Sequence, residues 1–218
     1  MPDFKIAIVP VTVFQQNCSL VWETGTMRAA VVDPGGDADK ILDAIKRLGL
    51  KPELILLTHG HLDHAGGARD LKAALDNDAG QVPIIGPDER DRFLLDGIEE
   101  AQRAFGMTGL RNVTPDRWLA EGETVDLGAL RFEVLHVPGH TPGHLAFVER
   151  TRRFAFTGDT VFQGSVGRTD FPYGDGPGLI AAIRAKLLPL GDDIGFIPGH
   201  GPTSTFGAER RSNPFLRG

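Results

Sequence analysis

Residues 53–58 read Glu-Leu-Ile-Leu-Leu-Thr and run directly into His59-Gly60-His61-Leu62-Asp63-His64. A run that is apolar almost throughout, with no alternation, is the pattern of a strand covered on both faces, so its sheet needs a layer on either side. Ending such a strand in titratable groups concentrates them beside a core, where desolvation is costly unless a cation offsets it. Residues two apart in extended chain point the same way, so His59 and His61 can bind one ion together. Where the chain then turns, Asp63 and His64 diverge toward a neighbouring point that suits a second ion. A lone histidine is more often a core or surface residue, but His-x-His-x-Asp-His after an apolar strand is not explained by packing alone.

The remaining sequence supplies the layers. Residues 4–13 and 17–24 are rich in β-branched and aromatic side chains, and the Gly25-Thr26 turn leads into Arg-Ala-Ala-Val-Val-Asp at 28–33, an antiparallel opening. Asp37 is placed to cap a helix whose Ile41, Leu42, Ile45 and Leu48 follow a helical period, ended by Gly49 and Pro52. A second helix is expected at about 68–75, a short strand at 82–86 and a helical stretch at about 89–105. Strands dominate 124–157, and a Gly-rich loop over 164–178 leads to a helix at about 179–188 and a strand at 193–198. Helices between strands that also pair as hairpins do not make a purely parallel sheet. Two packed sheets with helices outside account for the order, and 218 residues, 41% of them hydrophobic, suit one domain with a sizeable core.

Three more strand ends carry candidate ligands. Val137-Pro138-Gly139-His140, Thr157-Gly158-Asp159-Thr160 and Ile197-Pro198-Gly199-His200 each place a small residue just before the ligand, so that a side chain can be aimed inward. With the first motif they give five histidines and two aspartates, enough for two ions with three private ligands each and one bridging carboxylate. His144 can orient a ligand or simply start the following strand, and His136 lies within a strand as a packing residue. Cys18 is the sole cysteine, which excludes an intramolecular disulfide and a thiolate cluster, so nitrogen and oxygen must hold any metal.

The ordered motifs resemble the metallo-β-lactamase superfamily. More narrowly, Val32-Asp-Pro-Gly-Gly-Asp-Ala38, Leu57-Thr-His-Gly-His-Leu-Asp-His64, Pro138-Gly-His-Thr-Pro-Gly-His144, Gly164-Ser-Val-Gly-Arg-Thr-Asp-Phe-Pro172 and Ile197-Pro-Gly-His-Gly-Pro202 are similar to the short bacterial type II glyoxalases, the hydroxyacylglutathione hydrolases. The resemblance implies an αββα sandwich of two mixed sheets with helices on the outer faces, a single domain over residues 1–218, and no added C-terminal glutathione-binding domain. It assigns His59, His61 and His140 to one metal, Asp63, His64 and His200 to the other, and Asp159 to the bridge. The implied cofactor is a pair of divalent ions, zinc first, with iron or manganese as alternatives. The implied substrate is a small glutathione thioester, S-D-lactoylglutathione, attacked by a hydroxide bridging the metals.

With both ions, two carboxylates and that hydroxide, the centre carries about +1, which favours an anionic transition state. Asp63 is expected to act catalytically as well, accepting a hydrogen bond from the nucleophile. Arg168 can pair with a glutathione carboxylate through its planar fork, or with Asp170 merely to shape its loop. The helical stretch near 89–105 can supply part of the site wall through Phe93 and Phe105, but these two aromatics are expected to pack in the interior. A mononuclear-iron persulfide dioxygenase, which resembles this scaffold, and a non-enzymatic metal-binding module are the alternatives. A formal charge of −6 without a basic cluster argues against nucleic acid, and no apolar run approaches the roughly 20 residues needed to span a bilayer. The expected location is cytoplasmic, and no oligomeric state is assigned.

Overall fold

A computed structural model of the protein describes residues 3–76 and 80–217. The chain opens with β1 (Phe4–Val11), β2 (Gln16–Glu23) and β3 (Arg28–Val32), passes through α1 (Ala38–Leu48) to β4 (Lys51–Leu56), then through α2 (Leu62–Ala65) and α3 (Ala68–Leu75) to β5 (Ile84–Ile85). These five strands form one sheet in the order β1-β2-β3-β4-β5, antiparallel as far as β3 and parallel from β3 to β5. After α4 (Arg92–Asp96) and α5 (Ile98–Ala104) come β6 (Thr124–Leu127), β7 (Leu130–His136), β8 (Leu145–Glu149) and β9 (Phe154–Gly158). A small hairpin, β10 (Val161–Phe162) with β11 (Ser165–Val166), precedes α6 (Gly176–Ala182), β12 (Gly195–Pro198), β13 (Ser204–Thr205) and α7 (Phe206–Ser212). The second sheet runs β13-β12-β9-β8-β7-β6 and is mixed, with β12 parallel to β9.

Alternation explains why the sheets stack. In β4 and the residue after it, Leu54 and Leu56 face the second sheet while Ile55 and Leu57 face α1 and α3. In β8, Leu145 and Phe147 face the first sheet while Ala146 and Val148 face α6 and α7. Three apolar layers result, one between the sheets and one under each set of helices, which is the αββα sandwich. Each fully buried Leu, Ile or Phe in them contributes about 1.5–3 kcal/mol. The C-terminal helix α7 covers the second sheet, its Phe206 stacked on Phe196 at 5.3 Å.

Local differences from the sequence pattern have physical reasons. Asp37 sits in the left-handed region at φ 49°, and its carboxylate caps no helical N–H; it accepts from Thr12 N at 2.9 Å, tying α1 to the turn after β1. The stretch expected to be helical over 89–105 is broken, with a tight turn at Glu89–Asp91 and a boundary between α4 and α5 at Gly97. Helix α6 starts at Gly176, where Asp175 Oδ1 accepts from Gly178 N at 2.9 Å, and continues through wider turns over Ile183–Leu187. Among the described residues no helix is long and apolar enough to cross a membrane.

Candidate metal centre

The ends of β4, β7, β9 and β12 lie at one edge of the sandwich and deliver the seven candidate ligands to one place. The first triad is His59, His61 and His140: His61 Nδ1 lies 3.1 Å from His59 Nε2 and 3.0 Å from His140 Nε2. The second is Asp63, His64 and His200, with His200 Nε2 3.2 Å and His64 Nε2 4.0 Å from Asp63 Oδ2. Within each triad the ligand atoms lie within 4.8 Å of one another. Asp159 stands between the two, Oδ1 3.3 Å from His64 Nε2 and Oδ2 3.5 Å from His140 Nε2 and 3.7 Å from His200 Nε2. Gly199 is required there, because a Cβ at that position would collide with Asp159 Oδ1 and the His64 ring.

Hydrogen bonds behind the rings fix which nitrogen faces inward. His64 Nδ1 donates to Asp33 Oδ2 at 2.9 Å, His140 Nδ1 to the Arg168 carbonyl at 2.7 Å and His200 Nδ1 to the Phe14 carbonyl at 3.2 Å. Each bond leaves a lone pair on Nε2. Thr58 Oγ1 donates to Asp33 Oδ2 at 2.6 Å, so at 3.0 Å it accepts from His59 Nδ1, and His59 also presents Nε2 inward. His61 Nε2 donates to Tyr173 Oη at 2.8 Å and presents Nδ1. Three lone pairs thus meet in the first triad, that of His61 about 3 Å from each of the other two. In the second, His64 Nε2 and Asp159 Oδ1 are buried without a hydrogen bond. Lone pairs converging in a buried space repel unless a cation lies among them, so the donor set fits two metal ions.

The ionisation pattern divides the same way. Burial, reinforced by neighbouring imidazoles, holds His59 well below the usual histidine value and brings His61 down to about 3. Burial also lowers His140. Burial would lower His64 as well, but Asp159, Asp33 and Asp63 outweigh it and hold the ring well above its usual value. His200 is raised against its own burial by the bond to Asp63 and the charge of Asp159. Burial would raise both carboxyls, yet Asp63 is held low by His200 and His64, and Asp159 well below the carboxylate range by His64, His140 and His200.

The surroundings contain residues that motif reading did not single out. Asp33, at the end of β3, accepts from Thr58 N at 2.7 Å and from Thr58 Oγ1 and His64 Nδ1, so its proximity to His59 and His64 reflects hydrogen bonding and not a third ion site. Asp91 is buried and binds two ligand loops together, accepting from Gly60 N at 2.9 Å, Thr141 Oγ1 at 2.7 Å and Gly143 N at 2.6 Å. Burial pushes its carboxyl up to about 6 despite those bonds. Tyr173, the only tyrosine in the chain, reaches His61 from the Gly-rich loop.

Other expected residues are placed plainly. His144 Nε2 accepts from Asp159 N at 2.9 Å, and its ring stacks on His59 at 4.6 Å, so it orients the bridging residue through the backbone. His136 Nε2 donates to the Pro142 carbonyl at 2.8 Å, outside the cluster. Cys18 is buried in β2, and burial pushes its thiol well up. The Arg168 fork holds Asp170 through two 3.0 Å contacts, so the loop-shaping bond is present. Phe93 and Phe105 are not interior residues: they are 49% and 57% exposed. Phe105 instead lines a cavity of about 450 Å³ that opens over Asp63, His140, Asp159 and His200.

A family model described as the metallo-beta-lactamase superfamily matches residues 11–200. The chain belongs to that superfamily. Within the metallo-β-lactamase superfamily, hydroxyacylglutathione hydrolase GloC of Haemophilus influenzae is 51% identical over 213 residues, covering 97% of this chain and 98% of the relative. Among solved structures, the B3 metallo-beta-lactamase BLEG-1 superposes with a TM-score of 0.89 at 32% identity, covering 98% of this chain and 100% of that one. TTHA1623, solved in a di-iron-bound form, superposes with a TM-score of 0.86 at 39% identity, covering 96% and 100%. The metallo-β-lactamase fold accounts for the helices outside and the ligands at strand ends.

Proposed function

We propose that the chain is a metal-dependent hydrolase of acylglutathione thioesters, with S-D-lactoylglutathione as substrate and D-lactate and glutathione as products. The observation that carries this is the convergence of two ligand triads on Asp159, lone pairs inward, at the floor of a cavity. The identity to a hydroxyacylglutathione hydrolase across nearly the full length of both chains supports the reaction class. His59, His61 and His140 would hold one divalent ion, Asp63, His64 and His200 a second, with Asp159 shared. Zinc suits these imidazole and carboxylate donors, and so do iron and manganese; a relative solved with two irons keeps iron in contention. When bound, such ions bring the pKa of water to roughly 7 and polarise a carbonyl oxygen.

The chain's own groups do the rest. Asp63 and Asp159 offset part of the cationic charge while leaving the centre positive, so charge growing on a thioester oxygen is stabilised. Asp63 lines the cavity, and its carboxylate would accept a hydrogen bond from the attacking water and fix its direction. Apolar walls exclude bulk water and strengthen these interactions. The acyl carbon gains a water oxygen and loses sulfur; water supplies the proton taken up by the thiolate, and ionisation of the acid releases one more to solvent.

A single purified preparation tests this by metal analysis, thiol release from S-D-lactoylglutathione, and oxygen uptake with glutathione persulfide. Thiol release that chelation abolishes and metal restores is the expected result. Oxygen uptake alone would replace hydrolysis with persulfide oxidation, and neither activity would leave a metal-binding module.

A further inference from the structure

The cavity over the ligands has walls of unequal character. Its floor is Asp63, His140, Asp159 and His200, whereas α4 and α5 line one side with Leu94, Ile98, Ala101 and the end residue Phe105. Phe14 meets Phe105 edge to face at 5.4 Å on the His200 flank. On the opposite flank Phe171 stacks on Tyr173 at 5.3 Å, beside His61. No lysine lines the cavity among the described residues, and the fork of its one arginine, Arg168, is engaged with Asp170 through two 3.0 Å contacts.

A thioester has two arms leaving the reacting carbonyl. The glutathione arm carries two carboxylates and an ammonium, and laying it along Leu94, Ile98 and Phe105 would strip water from charges that find no partner there. An apolar acyl arm loses nothing by the same contact and removes exposed aromatic surface from water. Resting on the hydrolase assignment above, we infer that this cleft selects its substrate by an apolar, aryl-sized acyl group held against α4 and α5 and makes little use of the thiol carrier. The bond broken is the same acyl C–S bond, with water as co-reactant and the acid and thiol as products.

The test uses the metal-loaded full chain and three thioesters. S-mandeloylglutathione keeps the 2-hydroxyl and the glutathione of S-lactoylglutathione but replaces methyl with phenyl, and the mandeloyl thioester of N-acetylcysteamine then removes the carrier's charges. Phenyl is expected to raise kcat/KM by about 10- to 100-fold over methyl, the range for added apolar groups in a fitted pocket. Exchange of the carrier is expected to change it by less than about threefold, as for exposed charges. Phe105→Ser, at a largely exposed position, should lower the phenyl-to-methyl ratio by roughly fivefold or more, on the same apolar basis. Equal or better turnover of the lactoyl thioester, or a tenfold loss with N-acetylcysteamine, would overturn the inference and leave thioester hydrolysis standing. Absence of thiol release from all three would remove the hydrolase assignment and the inference together. The wild-type comparison decides the matter even if Phe105→Ser does not fold.

Discussion

The two triads share Asp159 but are made of different chemistry. His59, His61 and His140 are three neutral imidazoles backed by a hydroxyl, a phenol and a carbonyl. Asp63, His64 and His200 include a carboxylate, and a second carboxylate, Asp33, stands behind His64. Burial lowers the first set of rings, whereas carboxylates raise His64 and His200 against their burial. Without ions, then, burial favours the neutral, ligand form of the first triad, whereas the carboxylates make protons stronger competitors for a cation at His64 and His200. An ion meets less competition at one site than at the other.

The strongest way to break this division is to remove what the triads share. Asp159→Ala takes away the carboxylate that stands between the triads, 3.3 Å from His64, 3.5 Å from His140 and 3.7 Å from His200, and hydrolysis should fall by about 1000-fold, the effect of losing roughly 4 kcal/mol of transition-state stabilisation. The fold should survive, since the strands that carry the ligands are held by the apolar layers. Thiol release and circular dichroism on the same sample check it; undiminished turnover would remove the bridging assignment.

Asp33→Asn acts on the second triad most directly. Asp33 Oδ2 takes the Nδ1 proton of His64, and an amide nitrogen presented there would favour the tautomer with its proton on Nε2, facing the other ligands. Affinity for one ion should drop by roughly 10- to 100-fold, as is usual when the partner behind a ligand is lost. The first ion, reached from Asp33 only through Thr58, should weaken less. Competition with a chromophoric chelator resolves the two; equal weakening would show that Asp33 does not discriminate between the triads.

Acid should separate the sites by a further, smaller step. Because His64 and His200 are raised, protons compete with the second ion as pH falls through their folded values. The rings of the first triad are lowered, His61 to about 3, so protons compete there only at lower pH. One displaced proton costs about tenfold in affinity per pH unit. Dialysis at pH 8, 7 and 6 against limiting metal should therefore take the content from two ions toward one, with the survivor in the all-histidine site. Parallel loss of both would mean that the triads titrate alike.

How much of this was legible from residues alone follows from what aims each side chain. The ligands sit at strand ends, where the local pattern of apolar run, small residue and ligand carries the signal, so His59, His61, Asp63, His64, His140, Asp159 and His200 stand out without tertiary information. The layered architecture was legible because the unbroken apolar run of β4 signals cover on both faces, and in the fold successive residues of β2, β3, β4, β8 and β9 do enter two different apolar layers. Asp33 is aimed by something else. It meets Thr58 and His64 because β3 and β4 lie side by side, Val32 opposite Leu56, and a parallel pairing across a helix leaves no local trace. Asp91 was hidden by the apparent continuity of 89–105: only where the helix breaks can its carboxylate take the N–H groups of Gly60 and Gly143. Asp37 failed as a cap because a long-range partner, Thr12 N, took the carboxylate.

The smallest expected effect tests the first triad from outside. Tyr173 touches His61 on the nitrogen that faces away from the other ligands, so its loss changes how that ring is held and not whether it can bind. Tyr173→Phe keeps the stack on Phe171 at 5.3 Å and the edge contact with Phe93 at 5.2 Å, and removes only the oxygen. His61 Nε2–H is then left to water at the cavity wall, an exchange of one hydrogen bond for another that costs about 1 kcal/mol or less. First-ion affinity should fall by no more than about fivefold, with the second ion unmoved, the reverse of the Asp33→Asn pattern. A loss at the second site as large as at the first would mean that Tyr173 acts through the shared Asp159, and the two triads would then have to be treated as one coupled centre.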